Sequence, residues 1–332
     1  MSAPFSWVPG GRGAWLADRF ARADDGPLVA LGDMVPPGYD ALVRILPPFT
    51  RDRPATGTFA EWEARADSAD GAAAPEFLSE AASWADTAAA LGRELGETPR
   101  TWELLGVSYG EADDALADDG WRYSSPSEGT LPAALFARIA GVLARHTATP
   151  DAGVAGVWEG YGGLVSAQGV GWFFAVPDPP RWIARPLSAI GLRAASHVLS
   201  FRARSRRFGW RAALWGLLLP GVAQRPGSGT LPAEAARGER LELPYRAYVC
   251  FAATPRDLAE PGWPARAPWV ADDEFGDPQS PNVVWPDGRE WVLVSEIDVD
   301  TTLVACNRAC AEELLETAGI EAQLITRDTA LF

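Results

Sequence analysis

Three acidic residues alternate near the C-terminal end of the chain. Glu296, Asp298 and Asp300 are separated by single residues, so an extended backbone would place their carboxylates on one face. Three carboxylates on one face could bind a hard cation such as Mg²⁺ or Ca²⁺. Alternatively, Glu296 faces solvent while Asp298 and Asp300 cap a helix that begins near Thr301, where negative charge offsets the helix dipole. We favour the capping interpretation, and we predict no cofactor.

Aromatic residues form a second candidate site. The chain contains 15 Trp residues, and several lie in segments that we expect to be neighbours in a sheet. Ligand pockets combine aromatic walls with a few polar groups, although rings in such segments could equally belong to the core. The candidate ligand-binding residues are Trp158, Glu159, Tyr161, Asn282, Trp285, Arg289 and Trp291.

Cysteine and histidine are too sparse to predict a complete catalytic group. Cys306 and Cys310 are four residues apart in a predicted helix and could bind Zn²⁺ together with Cys250 or a His. Buried Cys often acts as a small hydrophobic residue, and we favour core packing. His146, in the last turn of another predicted helix, could be a general acid or base, or could cap the helix, which we favour. We therefore predict no catalytic residue.

The charge of the chain is unevenly distributed. The net charge is −15, which argues against binding to nucleic acid, yet residues 179–233 contain nine Arg and no Asp or Glu. We expect this basic insertion to dock on the protein's own acidic surface; an acidic protein partner and an anionic membrane remain alternatives. The candidate contact residues are Arg202, Arg204, Arg206, Arg207, Arg211 and Trp215.

Apolar periodicity predicts an α+β fold with mixed, mainly antiparallel strands covered by helices. We expect an N-terminal domain over 1–125 and a C-terminal domain over 126–332 that carries the basic insertion. The predicted strands are Leu28–Leu31, Tyr39–Leu46, Val154–Trp158, Val170–Val176, Leu241–Phe251, Trp291–Ile297 and Ile320–Thr326. The predicted helices cover 57–66, 75–94, 131–146 capped by Thr130, and Thr301 or Thr302 to about Thr317.

The N-terminus lacks the basic and apolar regions of a signal peptide, and no run of 18 apolar residues occurs. The three Cys residues do not indicate a disulfide framework. We therefore expect a cytoplasmic protein.

Several short segments resemble those of a family of uncharacterised actinobacterial proteins. They include Val35–Tyr39, Arg44–Pro48, His146–Pro150, Trp158–Gly162, Leu243–Arg246 and Ser280–Asp287. The resemblance extends over most of the chain and implies a common lineage. It implies no activity, because no activity is assigned to that family.

Two classes of function follow from these observations. The first is a non-enzymatic binding or accessory protein that uses the aromatic cleft, the basic insertion or both. The alternative is an enzyme with a carboxylate-based or divalent-metal site near Glu159 and Asp298. We favour the first class, because no acid, base and nucleophile can be assembled from the sequence.

Overall fold

The computed structural model describes residues 4–20, 29–59, 61–62, 76–108, 113–166, 226–270 and 278–331. In these ranges the chain forms two β-sheets, and all strand pairings between named strands are antiparallel. Helices accompany both sheets. The predicted α+β architecture with mainly antiparallel strands is confirmed.

The strands of the described ranges are numbered in chain order. They are β1 (Trp7–Val8), β2 (Ala41–Ile45), β3 (Phe49–Pro54), β4 (Phe77–Ala82), β5 (Asp114–Leu116), β6 (Arg122–Ser124), β7 (Gly153–Trp158), β8 (Leu241–Glu242), β9 (Ala247–Ala252), β10 (Val283–Pro286), β11 (Val292–Ser295), β12 (Thr302–Cys306) and β13 (Ala322–Ile325). The α-helices are α1 (Ala14–Phe20), α2 (Trp84–Ala90), α3 (Thr101–Leu105), α4 (Ala133–Arg145), α5 (Ala233–Arg237), α6 (Pro255–Ala259) and α7 (Arg308–Glu316). Short 3₁₀ helices lie at Gly10–Gly13, Leu31–Met34 and Trp263–Arg266.

The larger sheet has the order β1-β9-β7-β10-β11-β12-β2-β13, with β8 beside β9. Its central strands are runs of Val, Leu and Ala that are buried on both faces, as expected for a sheet covered on both sides. One face packs against α4, α6 and α7, with Trp263 and Trp269. The other face packs against α1 and the segment around Leu31.

The smaller sheet has the order β4-β3-β6-β5 and its own core. Phe49, Trp84 and Tyr123 lie at the centre of this core, and the Trp84 indole donates a hydrogen bond to the Pro47 carbonyl over 2.7 Å. The chain enters this sheet directly from β2, through residues 46–48. Because β1 and β2 belong to the larger sheet, a boundary at residue 125 does not separate the two sheets.

Most of the predicted strands that can be compared agree with the structure, but two predicted helices are partly wrong. Residues 77–82 form β4, and the helix that follows begins only after Ser83, whose hydroxyl accepts a hydrogen bond from the Asp86 N–H. Residues 302–306 form β12, because they fill a central position between β11 and β2. The helix there begins after Asn307, which caps the N–H of Cys310 over 2.9 Å.

Two further predictions concern the ends of elements. The N-cap of α4 is Pro132, and the Thr130 hydroxyl instead hydrogen-bonds Ser280. The predicted strand 170–176 and half of the predicted helix 57–66 lie outside the described residues. Among the described helices, none is long and apolar enough to cross a membrane.

Candidate functional site

A cleft of about 510 Å³ lies where the two sheets meet. The smaller sheet contributes the start of α3 and the segment that follows β6. The larger sheet contributes Arg44 from β2 and the loop 298–301, which joins β11 to β12. A cavity of this volume is in the range that holds small organic ligands. The chain passes directly from β2 in the larger sheet to β3 in the smaller sheet, and this connection holds the two walls of the cleft together.

Four carboxylates line this cleft, namely those of Asp113, Glu128, Asp298 and Asp300. Desolvation, and then the negative charges of Asp300, Asp113 and Asp298, raise the pKa of Glu128 above its usual value. Burial raises the pKa of Asp300, although nearby Arg44 and a hydrogen bond from Thr301 oppose that shift. The three Asp carboxylates therefore lie close enough to Glu128 to disfavour its ionisation.

The most buried charge in the cleft is the guanidinium of Arg44, a residue that is only 4% exposed. Its Nε donates to the Thr301 hydroxyl over 3.1 Å and its Nη1 to the Pro99 carbonyl over 2.8 Å. Burial lowers the pKa of Arg44, and the positive charge of Arg100 lowers it further, while Asp300 raises it. Thr101 lines the same cleft, and its buried Oγ1 has no hydrogen-bond partner among the described residues.

Two of the predicted ligand-binding tryptophans belong to the core instead. Trp285 is 2% exposed and Trp291 is 1% exposed, and they lie on opposite faces of the larger sheet. The hairpin register explains this, because Val283 pairs with Val294 and therefore Trp291 lies across from Pro286, not from Trp285. These two rings cannot line one cleft, and the predicted aromatic site is not formed by them.

Tyr161 and Asn282 do lie together, but in a buried hydrogen-bond network. The Asn282 amide nitrogen donates to the Tyr161 hydroxyl over 2.9 Å, and both side chains donate to the Gly129 carbonyl. The side-chain oxygen of Asn282, Oδ1, accepts a hydrogen bond from the backbone N–H of Trp158 over 2.9 Å. Burial raises the pKa of Tyr161 to about 12, so its hydroxyl keeps its proton as a donor. This network joins strands and loops.

The other predicted ligand-binding residues also have protein partners. The Trp158 ring packs against Tyr161 at 5.1 Å between ring centroids and against the Arg246 guanidinium. Glu159 accepts a hydrogen bond from Arg240 over 2.8 Å. Arg289 lies over the Trp15 ring at 4.7 Å, in the turn between β10 and β11. These residues therefore take part in several separate contacts with other parts of the protein.

The three alternating carboxylates do not converge as metal ligands. Glu296 and Asp298 both accept hydrogen bonds from Arg246, whereas Asp300 lies near Arg44. In the part of the chain that the structure describes, no group of three or more His, Cys, Asp or Glu could hold a metal ion. The capping interpretation is also wrong, because a strand and not a helix begins at Thr302.

Cysteine and histidine contribute to packing. Cys250 faces one core of the larger sheet, and Cys306 with Cys310 faces the opposite one, so the three thiols cannot share a zinc ion. Burial raises the pKa of the Cys250 thiol to about 12. His146 is the C-cap residue of α4, and its Nε2 lies 2.6 Å from a Glu313 carboxylate oxygen.

The candidate residues of the basic insertion, from Arg202 to Trp215, lie outside the described residues. A partner-binding role for this segment stays a prediction.

The sequence indicated only part of the cleft. Asp298 and Asp300 were identified as candidate residues, although for a different kind of site. Arg44 had a detectable signal, because it is a lone charge inside the apolar run from Ala41 to Leu46. Glu128 had none, since it follows a short Ser-Pro-Ser segment that resembles any exposed loop.

No protein-family model matches this chain, and no curated protein or solved structure gives a significant match.

Proposed function

We propose that this protein binds a small organic cation in the cleft between its two sheets. The observation that supports this most directly is the presence of four carboxylates in one cleft, three of which raise the pKa of Glu128. At neutral pH such acids repel one another, and a bound cation would relieve that repulsion. A binding function is also the class that the sequence favoured.

An organic cation fits the cleft better than a metal ion does. The acids are not arranged as a metal-binding group among the described residues, whereas a volume of about 510 Å³ accommodates an organic molecule. The Trp102 and Leu105 side chains and the Val299 side chain give the same cleft an apolar wall. A cleft that combines exposed carboxylates with apolar side chains suits a polyamine or another aliphatic amine.

The experiment is isothermal titration of the full-length protein with putrescine, spermidine and agmatine at low ionic strength. We expect binding by at least one of these amines, and we expect Glu128→Gln and Asp113→Asn each to weaken it about threefold or more. Glu316→Gln is the matched control, because it removes the same charge from an exposed position at the end of α7.

Two results would contradict the proposal. One is the absence of binding by all three amines. The other is equal affinity in Glu128→Gln, Asp113→Asn and the Glu316→Gln control, since that would mean that the overall negative charge, and not the cleft, attracts the amine.

A second candidate function is acid catalysis, and the raised pKa values of Glu128 and Asp300 favour it. A carboxyl group with a raised pKa holds its proton to a higher pH than an ordinary carboxyl group does, which is a property of general acids. Glu159, the acid that the sequence suggested for an enzymatic site, is unsuitable for this role because it forms an ion pair with Arg240. Turnover of chromogenic glycoside, phosphate and ester substrates should be measured between pH 4 and 8. This candidate requires an activity that Glu128→Gln abolishes.

A further inference from the structure

Arg44 has more hydrogen-bond donors than protein acceptors. A guanidinium has five N–H donors, and the described residues accept only two of them, at Thr301 and Pro99. No described carboxylate lies within ion-pair distance, because the salt bridges of the described residues do not include Arg44. The residue is 4% exposed and lines the cleft. It is therefore a buried positive charge without a direct counter-ion among those residues.

A buried charge without a partner is costly, and proteins normally pair it. The contacts on the protein side only partly meet that requirement. The Trp84 ring lies 5.6 Å from the Arg44 guanidinium carbon and supplies a cation–π contact. Asp300 attracts the guanidinium electrostatically, but the two residues form no ion pair. The N–H groups that remain are the kind of donors that bind a carboxylate in a fork.

A second unmatched group lies in the same cleft. The buried Oγ1 of Thr101 has no hydrogen-bond partner in the described ranges, although it lines the cleft with Arg44. A hydroxyl group and a guanidinium are both donors to a carboxylate. Arg44, with unmatched N–H groups, and Thr101, with an unmatched hydroxyl, thus line a cleft whose acids Asp113, Glu128 and Asp298 are exposed at its rim.

We propose that the ligand is a zwitterion, whose carboxylate binds Arg44 and Thr101 and whose cationic end binds the rim acids Asp113 and Glu128. The cationic half of this inference rests on the proposed function. The chemical class is an amino acid or short peptide with a basic side chain. A free anion does not fit, because it would have to pass the carboxylates at the rim to reach Arg44.

Matched pairs of probes separate this inference from simple attraction of cations. L-arginine and agmatine differ by one carboxylate, as do L-lysine and cadaverine. Agmatine carries two positive charges and L-arginine a net charge of one, so an acidic cleft alone would bind agmatine more tightly. A carboxylate site at Arg44 reverses that order. We expect L-arginine to bind about tenfold or more tightly than agmatine, as a charge-assisted fork would provide.

The experiment is isothermal titration of the full-length protein with both pairs, and with acetate and inorganic phosphate alone. In Arg44→Lys, which keeps the charge and loses the fork, we expect L-arginine affinity to fall about tenfold while agmatine affinity changes less than about twofold. The comparison on the unmodified protein needs no variant, so it remains decisive even if Arg44→Lys unfolds.

Each outcome identifies which proposal fails. Tight binding of agmatine with equal or weaker binding of L-arginine overturns the zwitterion and leaves the cation site standing. Binding of acetate or phosphate alone, as strong as that of L-arginine, also overturns it, because the rim acids would then have no part. Absence of binding by all four probes overturns the zwitterion proposal, and absence of binding by putrescine and spermidine as well overturns the cation site.

Discussion

Two groups of polar side chains lie near the loops at one end of the larger sheet, and they differ in how completely the protein satisfies them. The first is the network of Tyr161, Asn282 and Gln279, in which each side-chain amide has several partners. The second is the cleft around Arg44 and Glu128, in which donors lack acceptors and acids lie beside acids.

The difference separates polar groups that hold the fold together from polar groups that remain free to bind a ligand. Buried polar groups are stabilising when they are hydrogen-bonded and costly when they are not. The Asn282 side chain bridges the Gly129 carbonyl, the Ser295 carbonyl and the Trp158 N–H, so both of its N–H donors are used inside the protein, where the residue is fully buried. Arg44 retains N–H donors that no described residue accepts. The sequence suggested the opposite, because it identified Asn282 as a ligand contact and did not identify Arg44.

The largest expected effect is the loss of the Asn282 side chain. Asn282→Ala leaves the Trp158 N–H and two backbone carbonyls without this partner inside the protein, and we expect it to lower the free energy of unfolding by about 3 kcal/mol. Urea denaturation at pH 7 measures this change. The only other Asn, Asn307, is an exposed helix cap, and Asn307→Ala should cost about 1 kcal/mol. An Asn282→Ala loss no larger than the control would contradict the structural role.

Removing one hydroxyl from the same network should have a smaller effect. Tyr161→Phe keeps the ring and removes the acceptor of the Gln279 and Asn282 amides, which retain other partners. We expect a loss of about 1.5 kcal/mol in urea denaturation. Tyr39→Phe is the control, because its hydroxyl lies outside this network, where it donates to the Arg289 carbonyl and also contacts the Arg19 side chain. Equal losses in both variants would show that the network has no special importance.

The strands could be predicted from the sequence where β-branched residues concentrate, as in β2, β7 and β11. The errors at β4 and β12 have a common physical cause. In both, a strand is followed after one residue by a helix whose N-cap is Ser83 or Asn307, and helical spacing in the sequence continues across the cap. The extended conformation of these residues is determined only by pairing with strands elsewhere in the chain. Strand β4 pairs with β3, and β12 pairs with both β11 and β2.

The cleft was less predictable than the fold, because it is formed by segments that are remote in sequence. Arg44 lies more than 80 residues from Glu128 and more than 250 from Asp300. Nothing local distinguishes Glu128 from other loop acids. Its unusual electrostatics arise only because the smaller sheet places it against the loop between β11 and β12.

Glu290 provides a carboxylate that the protein does satisfy, for comparison with the cleft acids. Burial by itself would raise its pKa, but hydrogen bonds from the Ala148 N–H and the Thr147 hydroxyl outweigh that and lower it. Because the pKa of Glu290 is lower in the folded state, its ionised carboxylate stabilises the fold at pH values above the pKa of the unfolded state. This stabilisation is lost as the pH falls through the lower pKa of the folded state. Glu290→Gln should therefore cost about 1 kcal/mol at pH 7 and much less near pH 3, measured by urea denaturation at both pH values. A loss independent of pH would contradict this.

Glu128→Gln should change the free energy of unfolding in the opposite direction from Glu290→Gln, and by the smallest amount among these variants. The pKa of Glu128 is raised, so the folded state favours the protonated carboxyl, and stability is lost as the pH rises through that raised value. Glu128→Gln removes the cost of ionisation and should stabilise the protein by about 0.3 kcal/mol at pH 7, a small value because solvent screens an exposed side chain. The gain should disappear near pH 3.5, where both side chains are neutral, and should shrink at 1 M salt. Thermal denaturation across these conditions, with Glu316→Gln as the control, measures it. If Glu128→Gln instead destabilised the protein at pH 7, the carboxylate would have a protein partner, and the contrast between a satisfied network and an unsatisfied cleft would no longer hold at this residue.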